Sequence, residues 1–243
     1  MLATFRTFLS TGLDLLYPRT CNACGEALLK EERALCWECR AGVTAIQFPF
    51  CSCCGRPVEG AVDTAYTCFA CSEERPHYVS ARSAVRLEGC AQSMVHDFKY
   101  RDALWLEREL VQWMVAAADV HYADHSFDVI VPVPLHAVRL RERGYNQARL
   151  LAKGLGRRAG LRVDGSCLRR LKPTVTQTHL TGRERAHNVR GAFRAVSRRV
   201  AKKRILLVDD VMTTGATLNE CARALKEGGA ASVYVLTLAR GGW

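Results

Sequence analysis

A chain of 243 residues has room for one large domain, or for a medium domain joined to a small module. Its 49% hydrophobic and 24% charged residues suffice for a packed core, which excludes a disordered chain, and no apolar run approaches the ~18 residues of a membrane span. The net charge of +11 is unevenly placed: residues 1–80 carry 7 Lys/Arg against 9 Asp/Glu and residues 81–243 carry 28 against 15, a bias that suits a polyanionic partner.

In chain order, Met1 to Tyr17 sets Leu2, Phe5, Leu9, Leu13 and Leu16 at helical spacing. With one arginine, no continuous apolar run and no small-residue cleavage site, a helix packed on the protein is expected rather than a signal peptide. Peripheral membrane contact is the alternative. Nine of the twelve cysteines follow between Cys21 and Cys71. Cys21-x2-Cys24 with Cys36-x2-Cys39, and Cys51-x2-Cys54 with Cys68-x2-Cys71, form two sets of four. A two-residue gap lets both sulfurs of a turn face one ion, and Gly25 and Gly55 let the backbone close behind it. Four thiolates favour tetrahedral zinc and leave no open position, so two structural zinc ions are expected, against an iron–sulfur cluster or free thiols. Without a secretory signal, such cysteines read as metal ligands in a reducing compartment, the cytoplasm. Cys53 is a spare. Two tetrathiolate zinc sites bring the module from −2 to about −6, so it is not the surface for a polyanion.

The cysteine pairs stop near Pro76–Ser80, which divides the chain into residues 1–78, a helix and double cysteine module, and residues 79–243. Beyond the boundary, strands are expected over Ala84–Leu87, Phe127–Val133, Arg204–Val208 and Ser232–Leu238. Helices are expected over Cys90–Tyr100, Leu104–Val120, Asn146–Arg158 and Ala216–Glu227, and a long polar loop over Pro173–Arg190. Strands alternating with helices predict an α/β fold with a parallel sheet and flanking helices.

The most informative stretch is Ile205-Leu-Leu-Val-Asp209-Asp210-Val211-Met212-Thr213-Thr214-Gly215-Ala216-Thr217. An apolar strand delivers two carboxylates to its end, where open α/β sheets bind ligands. The loop amides, the hydroxyls of Thr213, Thr214 and Thr217 and the following helix make a site for one phosphate. The run resembles the signature of type I phosphoribosyltransferases that binds phosphoribosyl pyrophosphate (PRPP). The resemblance implies that Asp209 and Asp210 hold the ribose and that Thr213 to Thr217 hold the 5′-phosphate, with Val211, Met212, Gly215 and Ala216 part of the same PRPP site. It also implies Mg²⁺ with PRPP, a pyrophosphate loop at Pro134, Leu135 and His136, and a hood-like loop whose Arg185 closes over the ligand. That first loop is similar to one in glutamine-dependent PRPP amidotransferase. Lys99, in Phe98-Lys99-Tyr100, is a further candidate for the diphosphate.

Together with Arg143-Gly-Tyr-Asn-Gln and Gln177…Leu180…Arg185…Asn188…Phe193, these motifs are similar to those of the ComF family along nearly the whole chain. Cys53 and His179 in the loop are the departures. The resemblance implies a role in natural competence, handling imported single-stranded DNA at the cytoplasmic face of the inner membrane beside the uptake machinery. Two readings stay open: a transferase acting on a base or amine that the sequence does not specify, and a protein that binds PRPP or DNA without transfer. From Arg139 to Arg204, 20 basic residues face three acidic ones, which supports phosphate-backbone binding. Arg139, Arg141, Arg143, Arg198, Arg199, Lys202 and Lys203 are the candidates. Tyr145 and Phe193 are the only aromatics there, few for a base-stacking platform.

Overall fold

A computed structural model describes residues 19–60, 62–172 and 188–242. Two small cysteine units come first. In each, a tight turn carrying one cysteine pair is closed by an antiparallel bridge, Thr20 with Ala27 or Phe50 with Pro57. The second pair opens a short helix, α1 (Trp37–Ala41) or α2 (Phe69–Glu73), with Cys36 or Cys68 at the cap. The unpaired amides of a first turn need acceptors, and the Cys36 sulfur takes the Cys39 N–H at 3.5 Å.

Strands β1 (Ala81–Arg86), β2 (Val129–Pro132), β3 (Leu168–Arg170), β4 (Phe193–Ala195), β5 (Arg204–Met212) and β6 (Ser232–Arg240) alternate with further helices. These are α3 (Gly89–Tyr100), α4 (Glu107–Tyr122), α5 (Ala137–Arg143), α6 (Gln147–Ala159), α7 (Ser197–Val200) and α8 (Ala216–Glu227). The main sheet runs β1-β6-β5-β2, parallel throughout, and β3 and β4 form a separate antiparallel pair. In β5 successive side chains point to opposite faces, yet every residue from Ile205 to Val208 is apolar and buried, as both faces are covered. Ile205 and Leu207 pack with Leu218 and Leu225 of α8, whereas Leu206 and Val208 pack with Met94, Phe98, Leu110 and Leu151. Each such side chain contributes roughly 1.5–3 kcal/mol.

The cysteine units straddle the β1 edge. Cys21 and Cys36 join the second of those cores; Cys51, Cys54, Cys68 and Cys71 join the first. Ile46 N–H donates to Ala84 O at 3.0 Å, Arg86 N–H to Thr44 O at 2.9 Å and Ala81 N–H to Cys53 O at 2.7 Å. The module thereby satisfies an edge that would otherwise expose unpaired backbone groups.

Several elements differ from expectation. β1 begins at Ala81 rather than Ala84, and β2 is shorter than Phe127–Val133. β5 continues past Val208 through the acidic pair because β6 keeps pairing with it, Asp209 with Thr237 and Val211 with Ala239. The basic stretch after His136, for which no element was expected, is a helix, α5. None of its residues is buried, so it leaves no apolar stripe to read, and its ends hold it: His136 Nδ1 accepts the Val138 N–H at 3.3 Å. The β3–β4 pair joins three-residue strands from either side of the long loop. Of that loop only Asn188, Val189 and Arg190 are described. The expected helix over Met1–Tyr17 lies outside the described residues. No described helix is long and apolar enough to cross a membrane.

Candidate functional site

At the carboxyl edge of the sheet, where β2 and β5 end side by side, lies a cleft of about 430 Å³. All residues from Asp209 to Leu218 line it. The loop between β5 and α8 turns at Gly215, in the left-handed region at φ 82°, where a Cβ would stand 2.6 Å from Met212 Cε. The left-handed conformation favours glycine, and a Cβ there would also push the Met212 methyl aside. The Ala216 N–H, first in α8, reaches Thr214 Oγ1 at 3.4 Å.

Lys99, at the end of α3, pairs with Asp210 at 2.9 Å. Asp209 faces both Asp210 and Arg170. Burial and then the Asp210 charge push its carboxyl up to about 8, against the pull of Lys99 and Arg170. Two carboxylates crowded in one cleft, with basic groups round the rim, suit a ligand bearing hydroxyls, phosphates and a divalent cation. This donor set is compatible with Mg²⁺.

The opposite wall is the β2–α5 loop, held by Asn146 Nδ2 donating to Val133 O at 3.0 Å. Leu135, Arg139 and Arg143 line the cleft; Pro134 and His136 are not among its lining residues. Arg143 lies 5.0 Å over the Tyr100 ring and donates to Gln147 Oε1 at 2.9 Å. Arg185 lies outside the described residues, with Gln177, His179 and Leu180. Three further lining residues were not among the expected site residues, although Tyr100 and Gln147 stand in the Phe98-Lys99-Tyr100 and Arg143-Gly-Tyr-Asn-Gln motifs. Arg170 of β3 sits 5.4 Å over Phe193, and burial draws its guanidinium below the usual range. Tyr100 is exposed at the rim, and Gln147 is buried with its Nε2 unpartnered among the described residues. Arg170 reaches the cleft through packing that no local motif announces.

The seven basic residues proposed for DNA do not form one surface. Arg139, Arg141 and Arg143 belong to α5 at the carboxyl edge of the sheet. Arg198 and Arg199 in α7, with Lys202 and Lys203, immediately precede β5 at its amino end. Arg199 is already paired with Asp164 at 3.0 Å.

Both cysteine tetrads are assembled: in each, the four sulfurs lie within 4.8 Å of one another. Tetrahedral zinc with sulfur at about 2.3 Å requires sulfurs about 3.8 Å apart. Cys24 and Cys36 stand at 3.7 Å, and Cys54 and Cys68 at 3.8 Å. The first tetrad is partly open, with Cys24 exposed, whereas all four residues of the second are buried.

Residues 12–76 match the double zinc ribbon domain family, and residues 116–242 the phosphoribosyl transferase domain family. Sheet, cleft and tetrads together define a phosphoribosyltransferase-fold protein carrying a double zinc ribbon. The chain is 31% identical to "Competence protein F" of Haemophilus influenzae, over 90% of its own length and 96% of that protein's. It is 30% identical to "Competence protein ComFC" of Bacillus subtilis, over 88% and 87%. It belongs to the competence protein F (ComF) family. Among solved structures, glutamine PRPP amidotransferase from B. subtilis is similar at 22% identity and TM-score 0.37, over 54% of this chain and 26% of that one. The chain thus spans about a quarter of that enzyme's length.

Proposed function

We propose that the cleft binds PRPP with Mg²⁺, and that the two tetrads each hold a structural zinc ion. The carrying observation is the single cleft in which β5 presents Asp209 and Asp210, the loop from Thr213 to Thr217 opens α8, and Lys99, Arg139, Arg143 and Arg170 stand opposite. The loop holds the 5′-phosphate and the acidic pair the ribose hydroxyls. The basic groups, Lys99 among them, take the diphosphate, which requires Lys99 to exchange its Asp210 partner for ligand. Mg²⁺ held with the ligand beside the acidic pair would supply positive charge to the diphosphate. If transfer follows, an acceptor attacks the ribose carbon as its bond to pyrophosphate breaks, and the carboxylates stabilise the positive charge that gathers on the ring.

A second ligand is single-stranded DNA. The charge of residues 81–243 favours it, as does membership of a family whose relatives carry the names "Competence protein F" and "DNA utilization protein YhgH". Competence DNA uptake on the cytoplasmic side of the inner membrane is the setting this reading implies.

Titration calorimetry with PRPP and Mg²⁺ tests the first reading. Wild type should bind, and Asp209→Asn with Asp210→Asn should weaken binding at least ~100-fold, two charge-assisted hydrogen bonds at about 1.5–3 kcal/mol each. Equal affinity in the double variant would refute the assignment. Pyrophosphate release that depends on a particular base or amine would make the protein a transferase.

A further inference from the structure

Arg240 ends β6 beside the phosphate loop, opposite Met212 in register, and is 1% exposed. Its Nη1 donates to Cys54 O at 2.6 Å and to Met212 Sδ at 3.1 Å, and its Nη2 lies 3.8 Å from Cys54 Sγ. No carboxylate of the described residues pairs with it, and its Nε has no partner among them. A buried guanidinium without counter-charge is costly. Among the described residues, the nearby group able to supply that charge is the tetrad of Cys51, Cys54, Cys68 and Cys71, which with a bound dication carries a formal −2.

The same arginine supports the back of the loop. Met212 accepts the Gly241 N–H through its carbonyl at 3.0 Å, and its methyl fills the space behind Gly215, where the Tyr78 hydroxyl also lies. His77 N–H donates to Asn219 Oδ1 in α8 at 2.7 Å. The segment leaving the second ribbon and the ribbon itself thus build the floor under the phosphate loop.

We infer that Arg240 is a positioning residue coupling the second zinc ribbon to the phosphate loop, so that metal in the ribbon and ribose phosphate in the cleft strengthen one another's binding. The inference rests on reading the loop as a phosphate site. Metal supplies the counter-charge that keeps the guanidinium in place; the guanidinium keeps Met212 and the loop in place. Coupling of this kind is reciprocal, so ligand should also slow metal loss.

The test uses the full chain loaded with zinc, in wild type, Arg240→Met and Arg240→Lys. Zinc release to a chelating dye reports both tetrads, and the first, whose Cys21 and Cys36 pack in the other core while the Arg240 guanidinium bonds Cys54, is the internal control. Arg240→Met should release one of the two zinc ions at least ~10-fold faster, leave the other unchanged and weaken PRPP about 10-fold. Arg240→Lys keeps the charge but not the fork, so it should restore zinc retention and only part of the PRPP affinity. In wild type, saturating PRPP should slow the same zinc ion. Unchanged release from both tetrads in Arg240→Met would overturn the counter-charge. Faster release with unchanged PRPP affinity would overturn the coupling. If Arg240→Met does not fold, Arg240→Lys decides, since wild-type values for both readouts sink the proposal. Wild type that binds no PRPP defeats the phosphate reading instead, while the zinc arm still judges the counter-charge.

Discussion

Asp209 and Asp210 are neighbours at the end of β5, but their surroundings differ. Asp210 has Lys99 at 2.9 Å, whereas burial and the Asp210 charge hold the Asp209 carboxyl near 8, above its ordinary 3.8. A carboxyl raised in this way takes up a proton on folding. Its folded state is undisturbed below about pH 4 and progressively less favoured as pH rises to 8. Asp209→Asn removes that dependence. The melting temperature of the ligand-free variant should match wild type near pH 4 and exceed it increasingly up to pH 8, by about 2–4 °C for each kcal/mol regained. Thermal melts from pH 4 to 9 measure this, and a gain confined to the acid side would contradict the assigned surroundings. This pair was legible from sequence because strand, carboxylates, hydroxyls and glycine are contiguous. Arg170 was not, because a hairpin closed across the long loop brings it to the cleft.

Gly25 and Gly55 occupy equivalent places in the two ribbons, and both are left-handed, at φ 79° and 68°. Nothing in their local sequence separates them, since both follow a Cys-x2-Cys turn. Their neighbours differ. A Cβ on Gly25 meets open space, while one on Gly55 would stand 2.4 Å from the Ala81 carbonyl oxygen, where the second ribbon lies on β1. Gly25→Ala therefore costs only the left-handed conformation, about 1–2 kcal/mol. Gly55→Ala adds a clash with backbone that cannot yield without moving β1, the Cys53 hydrogen bond to Ala81 and the tetrad. Elemental analysis after mild chelation should find two zinc ions in Gly25→Ala and one in Gly55→Ala. Equal retention would mean that the second ribbon tolerates displacement from the sheet. The element types themselves were largely readable: α8 lies where its period places it, and β5 was underestimated only because its last residues owe their strand conformation to β6 rather than to apolar pattern.

Over the whole molecule, charge and architecture divide the work differently from the linear sequence. The run from Arg139 to Arg204 reads as one basic block, but folding sends α5 to the carboxyl edge of the sheet and Lys202 and Lys203 to the amino end of β5, whose nine residues span about 25–30 Å. A single strand of DNA held by both groups must run the length of that strand. The carboxyl-edge group overlaps the cleft proposed for PRPP, since Arg139 and Arg143 line it; the other group does not. Neutralising Arg139, Arg141 and Arg143 to Gln in the full chain should lower the salt dependence of oligonucleotide binding by about 0.7 in log affinity per log salt for each phosphate no longer neutralised. Neutralising Arg198, Lys202 and Lys203 should do the same independently, with Arg199 left to hold Asp164. PRPP at saturating concentration should reproduce the first effect and add nothing to the variant that lacks those arginines. Fluorescence anisotropy of a labelled oligonucleotide at several salt concentrations measures both slopes. If neither variant changes the slope while affinity persists, the DNA is held outside these two groups, and the exposed aromatics of the ribbons, Trp37 and Phe69, become the surface to substitute next.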